Sequence, residues 1–228
     1  MGITLAITPD GNRRWAKKHN KPIIEGHRVG INKLKDLVEW CRDLGVGNLL
    51  IWIFSTENAG RNKDEVRGLF DLFDKTLDRL EQEYNKKEIK EVSIKFVGKK
   101  DIFPEKLIRK AEKLEEKTKK GKFTLALLIG YGGRQEIVDT TNKIIEKAKA
   151  GELNKVDEKI FSSFMYAPDI PDPDLIIRTG EKRLSGLLPW QSVYSEIYFV
   201  DKLWPEFTKE DLVEVIEDYK KRKRRFGK

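Results

Sequence analysis

Two nearly unbroken apolar runs, Leu49–Phe54 and Phe123–Ile129, constrain the fold of this chain more than any other feature. A strand with one wet face alternates polar and apolar side chains. A run without that alternation belongs to a strand covered on both faces, as in a parallel sheet with helices above and below it. Four further segments read as strands: Ile3–Ile7, Val92–Val97, Asp174–Arg178 and Ser195–Val200. Val92–Val97 mostly alternates, with Ser93 and Lys95 on one face, and is expected at a sheet edge.

Helical patterns separate these segments. Val29–Arg42 places Ile31, Leu34, Leu37, Val38 and Cys41 on one stripe, and Asp64–Tyr84 repeats the spacing with Val66, Leu69, Phe70, Phe73, Leu77, Leu80 and Tyr84. Pro104–Lys119 opens on a proline suited to a first helical turn. Arg134–Ala148 follows the fourth strand, and Thr208 with Asp211 forms a capping box for a last helix through Tyr219. The alternation predicts one α/β domain over residues 1–228, with about six mostly parallel strands flanked by helices. No linker divides it. No apolar run approaches the roughly 18 residues that span a bilayer. Met1 to Thr8 carries no basic segment, and Cys41 is the only cysteine, so the expected compartment is the cytoplasm.

Ligands of such sheets bind beyond the carboxyl ends of the strands. Four of those ends carry similar chemistry. After the first strand, Asp10-Gly11-Asn12-Arg13-Arg14-Trp15 joins a tight turn to two guanidinium forks suited to phosphate. Asp10 beside them suits Mg²⁺, which takes one or two carboxylates plus substrate phosphates. After the second strand come Ser55, Thr56, Glu57 and Asn58, with Arg61 following. After the fourth come Gly130 to Gly133 and then Arg134, and after the fifth come Arg178, Arg183 and Ser185. Each loop alone reads as an ordinary solvated turn; together they describe one anion site. The net charge of +8 suits an anionic partner. Glu196, at the start of the sixth strand, is the acid expected to share the metal with Asp10.

The residues resemble the cis-prenyltransferases, the undecaprenyl diphosphate synthase family, from end to end. The resemblance rests on Asp10-Gly11-Asn12-x-Arg14-Trp15-Ala16, Gly26-His27-x-x-Gly30, Phe54-Ser55-Thr56-Glu57-Asn58 and Tyr131-Gly132-Gly133-Arg134. It continues through Pro173-Asp174-Leu175-x-Ile177-Arg178-Thr179, Arg183-Leu184-Ser185, Trp190-Gln191-x-x-Tyr194-x-Glu196 and Arg225-x-Gly227. It implies a Mg²⁺-dependent enzyme that joins isopentenyl diphosphate to an allylic diphosphate, giving a Z-polyprenyl diphosphate whose tail grows in an apolar tunnel. Asp10 is then the essential metal-binding aspartate and Glu196 a second metal-associated carboxylate. Gly11, Asn12, Arg14 and His27 form the allylic pocket, with Arg13 and Trp15 beside them. Arg178, Arg183 and Ser185 clamp isopentenyl diphosphate. Asn58 and Arg61 serve catalysis and substrate placement, with Ser55, Thr56 and Glu57 on the same rim. Arg225 and Gly227 resemble a motif that reaches the neighbouring subunit of a homodimer.

Three departures touch the substrate sites. Ile23 stands where the family usually has Arg, and Lys21 is the expected substitute. Arg178-Thr179-Gly180-Glu181 is one residue shorter than the family's Arg-Thr-Ser-Gly-Glu. Ala59 replaces a common Trp. These keep a non-head-to-tail coupling of two allylic diphosphates open as an alternative. Another class, a non-catalytic RNA- or membrane-binding subunit, has its best support in Lys220 to Arg225. That run lacks the interleaved aromatics of nucleic-acid sites, so no nucleic-acid partner is expected, whereas peripheral contact with an anionic membrane suits a lipid product. Asp169, Asp172 and Asp174 are interrupted by Pro168, Pro171 and Pro173, which excludes the helical Asp-rich motif of trans-type synthases. No Gly-x4-Gly-Lys-Ser/Thr is present, which excludes a P-loop.

Overall fold

The computed structural model describes residues 2–223. Six strands form one all-parallel sheet: β1 (Ile3–Thr8), β2 (Val46–Ser55), β3 (Val92–Val97), β4 (Phe123–Tyr131), β5 (Leu175–Thr179) and β6 (Glu196–Val200). Their spatial order is β3-β4-β2-β1-β5-β6. The two continuous apolar runs lie inside β2 and β4, which are neighbours in the interior of the sheet. Val92–Val97 takes the expected edge, although Ser93 is buried and Lys95 pairs with Asp169.

Period-2 geometry divides each central strand between two cores. Leu5 and Ile7 point into the larger one, with Leu49, Ile51, Leu125 and Leu127. That core is closed by α2 (Ile23–Asp43), α3 (Lys63–Asn85), α4 (Glu105–Thr118) and α7 (Lys209–Lys221). Ala6, Leu50, Ala126 and Leu128 point the other way and meet Leu187, Leu188 and Tyr166. α5 (Gly133–Lys149) also buries residues, including Glu136 and Thr140. Among the described residues, no helix is long and apolar enough to cross a membrane.

Two details differ from the sequence reading. α2 begins at Ile23 rather than Val29, six residues earlier. Its first turns carry Gly26 and Gly30, which weaken a helix in isolation. Here they are contact points: a Cβ on Gly26 would strike the Asn12 carbonyl oxygen of α1 (Asn12–Lys18), and one on Gly30 the Asn12 side chain. A short helix, α6 (Glu158–Ser163), had no sequence signal beyond Asp157, whose carboxylate accepts from Ile160 N at 2.8 Å. The capping box at Thr208 forms as expected, with Asp211 accepting from Thr208 N at 2.8 Å.

Candidate active site

Because all six strands run the same way, their carboxyl ends share one rim. A cavity of about 1070 Å³ opens there. Asp10, Gly11, Asn12, Arg13, Arg14, His27, Ser55, Glu57, Asn58, Arg61, Arg178, Arg183 and Ser185 all line it. Thus loops distant in sequence converge on one volume. Its wall also includes Ile31, Leu34, Ile51, Ile53, Leu69, Phe70, Phe73, Phe103 and Ile129. The cavity therefore has a cationic part and an apolar part.

Arg178, the penultimate residue of β5, is 4% exposed. Its Nη1 donates to the Arg183 carbonyl at 2.6 Å and to Ser185 Oγ at 2.8 Å, and its Nη2 donates to Asp10 Oδ2 at 2.9 Å. Asp10 Oδ1 accepts from Gly11 N at 2.7 Å. The loop that follows is held in a left-handed conformation at Gly180, Ser185 and Leu188, with φ of 72°, 56° and 45°. Such angles persist in non-glycine residues only where surrounding contacts enforce them. Here Gly133 N donates to the Gly186 carbonyl at 2.9 Å, and beneath the loop Tyr131 OH donates to the buried Glu136 at 2.5 Å. Glu136 also accepts from Tyr166 N at 3.0 Å and Gln191 Nε2 at 3.2 Å. The Gly-rich segment after β4 thus supports the loop that carries Arg183 and Ser185.

The opposite flank is organised by Glu65, a residue the sequence reading passed over. Its side chain is 10% exposed, and Oε1 lies 3.1 Å from Arg61 Nη1, 3.6 Å from Arg13 Nε and 3.7 Å from His27 Nε2. The available signal was the i,i+4 spacing of Arg61 and Glu65 across the start of α3. Burial and the neighbouring Arg61 cation lower the His27 pKa to about 4, against the pull of Glu65, so His27 is neutral at pH 7. Asn58 Oδ1 accepts from Ser55 N at 3.1 Å, which fixes the turn after β2. Lys17, Lys21, Glu181 and Trp204 also line the cavity and were not assigned from the sequence, Lys21 excepted.

Some expected residues lie elsewhere. Trp15 stacks on His19 with ring centroids 4.3 Å apart, and neither Trp15 nor Thr56 is among the cavity-lining residues. Glu196 corrects the sequence reading most clearly. It opens β6 in register with Leu175 and Leu5, whereas Asp10 lies beyond Thr8, which is in register with Arg178 and Phe199 at the other end of the sheet. The two acids therefore cannot share an ion within one chain, and Glu196 is instead bound by Arg222 at 2.6 Å. Arg225 and Gly227 lie outside the described residues.

Buried polar atoms without partners mark the site independently. Of seven among the described residues, four belong to cavity-lining side chains: Thr8 Oγ1, Asn12 Oδ1, His27 Nε2 and Arg178 Nε. Such orphans are destabilising unless a ligand or water engages them. Among the described residues, no three His, Cys, Asp or Glu side chains cluster to hold a metal. Asp10 alone fits the way Mg²⁺ binds beside phosphates, as one hard oxygen donor completed by the substrate.

The family model described as "Putative undecaprenyl diphosphate synthase" matches residues 8–227. The chain belongs to that family of cis-prenyltransferases. An isoprenyl transferase of Thermotoga maritima is 48% identical over 98% of this chain and 95% of its own length. A tritrans,polycis-undecaprenyl-diphosphate synthase (geranylgeranyl-diphosphate specific) of Methanopyrus kandleri is 44% identical over 98% of this chain and 84% of its own length. Among solved structures, lavandulyl diphosphate synthase from Lavandula x intermedia, in complex with dimethylallyl diphosphate, superposes with a TM-score of 0.93. It is 32% identical and covers 100% of this chain and 98% of its own. This prenyltransferase therefore belongs to a family in which condensation of isopentenyl diphosphate with an allylic diphosphate, dependent on Mg²⁺, is general.

Proposed function

We propose that this cis-prenyltransferase binds its allylic diphosphate between Asp10, Arg13, Arg14, His27 and Arg61, and isopentenyl diphosphate on Arg178, Arg183 and Ser185. One observation carries the reading: a single cavity joins a cationic rim to a wall of Leu69, Phe70, Phe73 and Phe103, as a ligand with an anionic head and an apolar tail requires. Asp10 would hold Mg²⁺ together with the substrate phosphates, and the ion would supply charge neutralisation that the arginines alone do not. The allylic C–O bond breaks with its electron pair leaving on the diphosphate, and the alkene of isopentenyl diphosphate forms the new C–C bond. A proton is then lost from isopentenyl diphosphate. Arg13, Arg14 and Arg61 are placed to receive the charge that develops on the leaving group. Neutral His27 contributes a hydrogen bond rather than a charge. Lys21 takes the place of the family arginine missing at Ile23, and the apolar wall serves as the tunnel for the growing tail.

A second copy of the chain completes the assembly in this reading. Edge strand β6 and its approach carry Val193, Tyr194 and Phe199 at 71%, 60% and 40% exposure, which is unusual for large apolar side chains clustered in sequence. Arg225 and Gly227 then reach the partner's clamp. Sedimentation of the purified chain tests the dimer.

The reaction is tested with Mg²⁺, labelled isopentenyl diphosphate and a panel of allylic primers, with products separated by chromatography and weighed by mass spectrometry. Products rising by one five-carbon unit at a time, and only when isopentenyl diphosphate is present, are expected. A second reading, coupling of two allylic diphosphates, is favoured by the shortened loop at Gly180 and by the lavandulyl diphosphate synthase neighbour solved with dimethylallyl diphosphate. It requires product from allylic diphosphates alone. No product under either condition would overturn both readings.

A further inference from the structure

The two clamps are joined by a carboxylate that neither needs for binding phosphate. Glu181 follows Gly180 in the short loop after β5. Its Oε1 lies 3.1 Å from Arg14 Nη1, on the allylic side, and its Oε2 lies 2.5 Å from Arg183 Nη1, on the isopentenyl side. Arg14 Nη1 also donates to the Gly180 carbonyl at 2.9 Å. Gly180 stands at a φ of 72°, and a Cβ there would lie 2.7 Å from Arg14 Nη2, so the loop is seated directly on that guanidinium. One arginine from each clamp is thus held by opposite oxygens of the same carboxylate.

From this bridge we infer that Glu181 is a displaceable counter-ion that links the filling of the two diphosphate sites. The inference rests on the site assignment proposed above. A diphosphate arriving at Arg14 places several negative charges beside Glu181. Like charges at such separations repel strongly in a partly desolvated cavity. Both contacts are made by one carboxylate, so moving Glu181 away from Arg14 also loosens its hold on Arg183. Its departure frees Arg183 for the second diphosphate. The same sequence runs in reverse when isopentenyl diphosphate binds first, because linkage between two sites is reciprocal. Before substrate arrives, Glu181 holds both guanidinium groups at the rim and so positions them; afterwards it is expelled.

Calorimetric titration of the full chain with Mg²⁺ tests this, using isopentenyl diphosphate and geranyl thiolodiphosphate, an allylic analogue that does not ionise. In the wild type, saturation with the analogue is expected to lower the Kd for isopentenyl diphosphate about tenfold, within the usual range for coupled sites. Isopentenyl diphosphate should tighten the analogue by the same factor. In Glu181→Gln, isopentenyl diphosphate should bind the free protein about as tightly as it binds the analogue-saturated wild type, and the linkage should shrink to within about twofold. A purely structural role for Glu181 would weaken binding of both ligands without changing their ratio. An unchanged linkage factor in Glu181→Gln, or none in the wild type, overturns the inference while leaving the site assignment standing. Failure of either diphosphate to bind the wild type overturns the site assignment and the inference together.

Discussion

The two flanks of the rim present the same charge but are built differently. On the β5 flank, Arg178 is buried, makes three hydrogen bonds, and sits under a loop locked by three left-handed residues and a buried Glu136 network. On the α1–α3 flank, Arg13 and Arg14 have side chains 54% and 47% exposed and are tied by ion pairs of 3.1–3.8 Å. Buried charges held by several hydrogen bonds are rigid, and removing a partner is strongly destabilising. Half-exposed ion pairs contribute little to stability and rearrange readily. The difference teaches that Arg178 is held in place before any ligand arrives, while Arg13 and Arg14 can adjust around one. On the site assignment proposed above, that division suits an enzyme whose isopentenyl substrate is constant and whose allylic substrate lengthens with every cycle.

Asp10 spans the two flanks, bonded to Arg178 on one and 3.8 Å from Arg14 on the other. Asp10→Ala is therefore expected to have the largest effect: turnover falling at least about a thousandfold, with the far-ultraviolet spectrum unchanged. Normal Mg²⁺-dependent activity in that variant would refute the metal assignment. Next comes a direct test of the contrast. Arg178→Lys loses the planar fork that reaches Arg183, Ser185 and Asp10 together, so the KM for isopentenyl diphosphate should rise about a hundredfold and the melting temperature should fall. Arg13→Lys keeps its charge in a half-exposed position and should change the allylic KM less than about tenfold. Equal effects would erase the distinction between the flanks. Smaller again is Glu136→Gln. It weakens the charge-assisted bond from Tyr131 and should cost about 1–3 kcal/mol of stability. The KM for isopentenyl diphosphate should rise several-fold while the allylic KM stays near wild type. A matching rise in both would show that the Glu136 network supports the whole rim.

Much of this architecture was legible in the sequence, for reasons that the contrast makes plain. Leu49–Phe54 and Phe123–Ile129 announced interior strands because continuous apolar runs have few other uses, and both lie inside β2 and β4. Arg178, Arg183 and Ser185 were legible because they follow a strand in a parallel sheet and stand within eight residues of one another. Glu196 misled although it was read at the start of its strand: in a parallel sheet that is the amino end, opposite the rim, and the register with Leu175 shows it there. The helix start at Ile23 was hidden because Gly26 looks like a breaker until Asn12 is packed on it. Glu65 and Glu181 escaped because an acid in a first helical turn or a polar loop has many ordinary explanations. Only the assembled structure shows which cations each one gathers.

His27 provides the finest test, because it separates burial from charge on the adjustable flank. Its pKa is lowered to about 4 by burial and by Arg61, against 6.5 in an exposed chain. Well above pH 6.5 the imidazole is neutral whether the protein is folded or not, and its titration leaves stability unchanged. As the pH falls from 6.5 towards 4, the unfolded chain takes up the proton first. Folding then loses stability progressively, by about 3 kcal/mol across the window, and the loss levels off below pH 4. Denaturant unfolding of the wild type and of His27→Gln at a series of pH values reads this directly. The variant should lose less stability than the wild type between pH 6.5 and 4, while the two run parallel above pH 7. Identical slopes would mean that His27 titrates like an exposed imidazole. The tight packing around Glu65 would then be no more rigid than the arginines beside it.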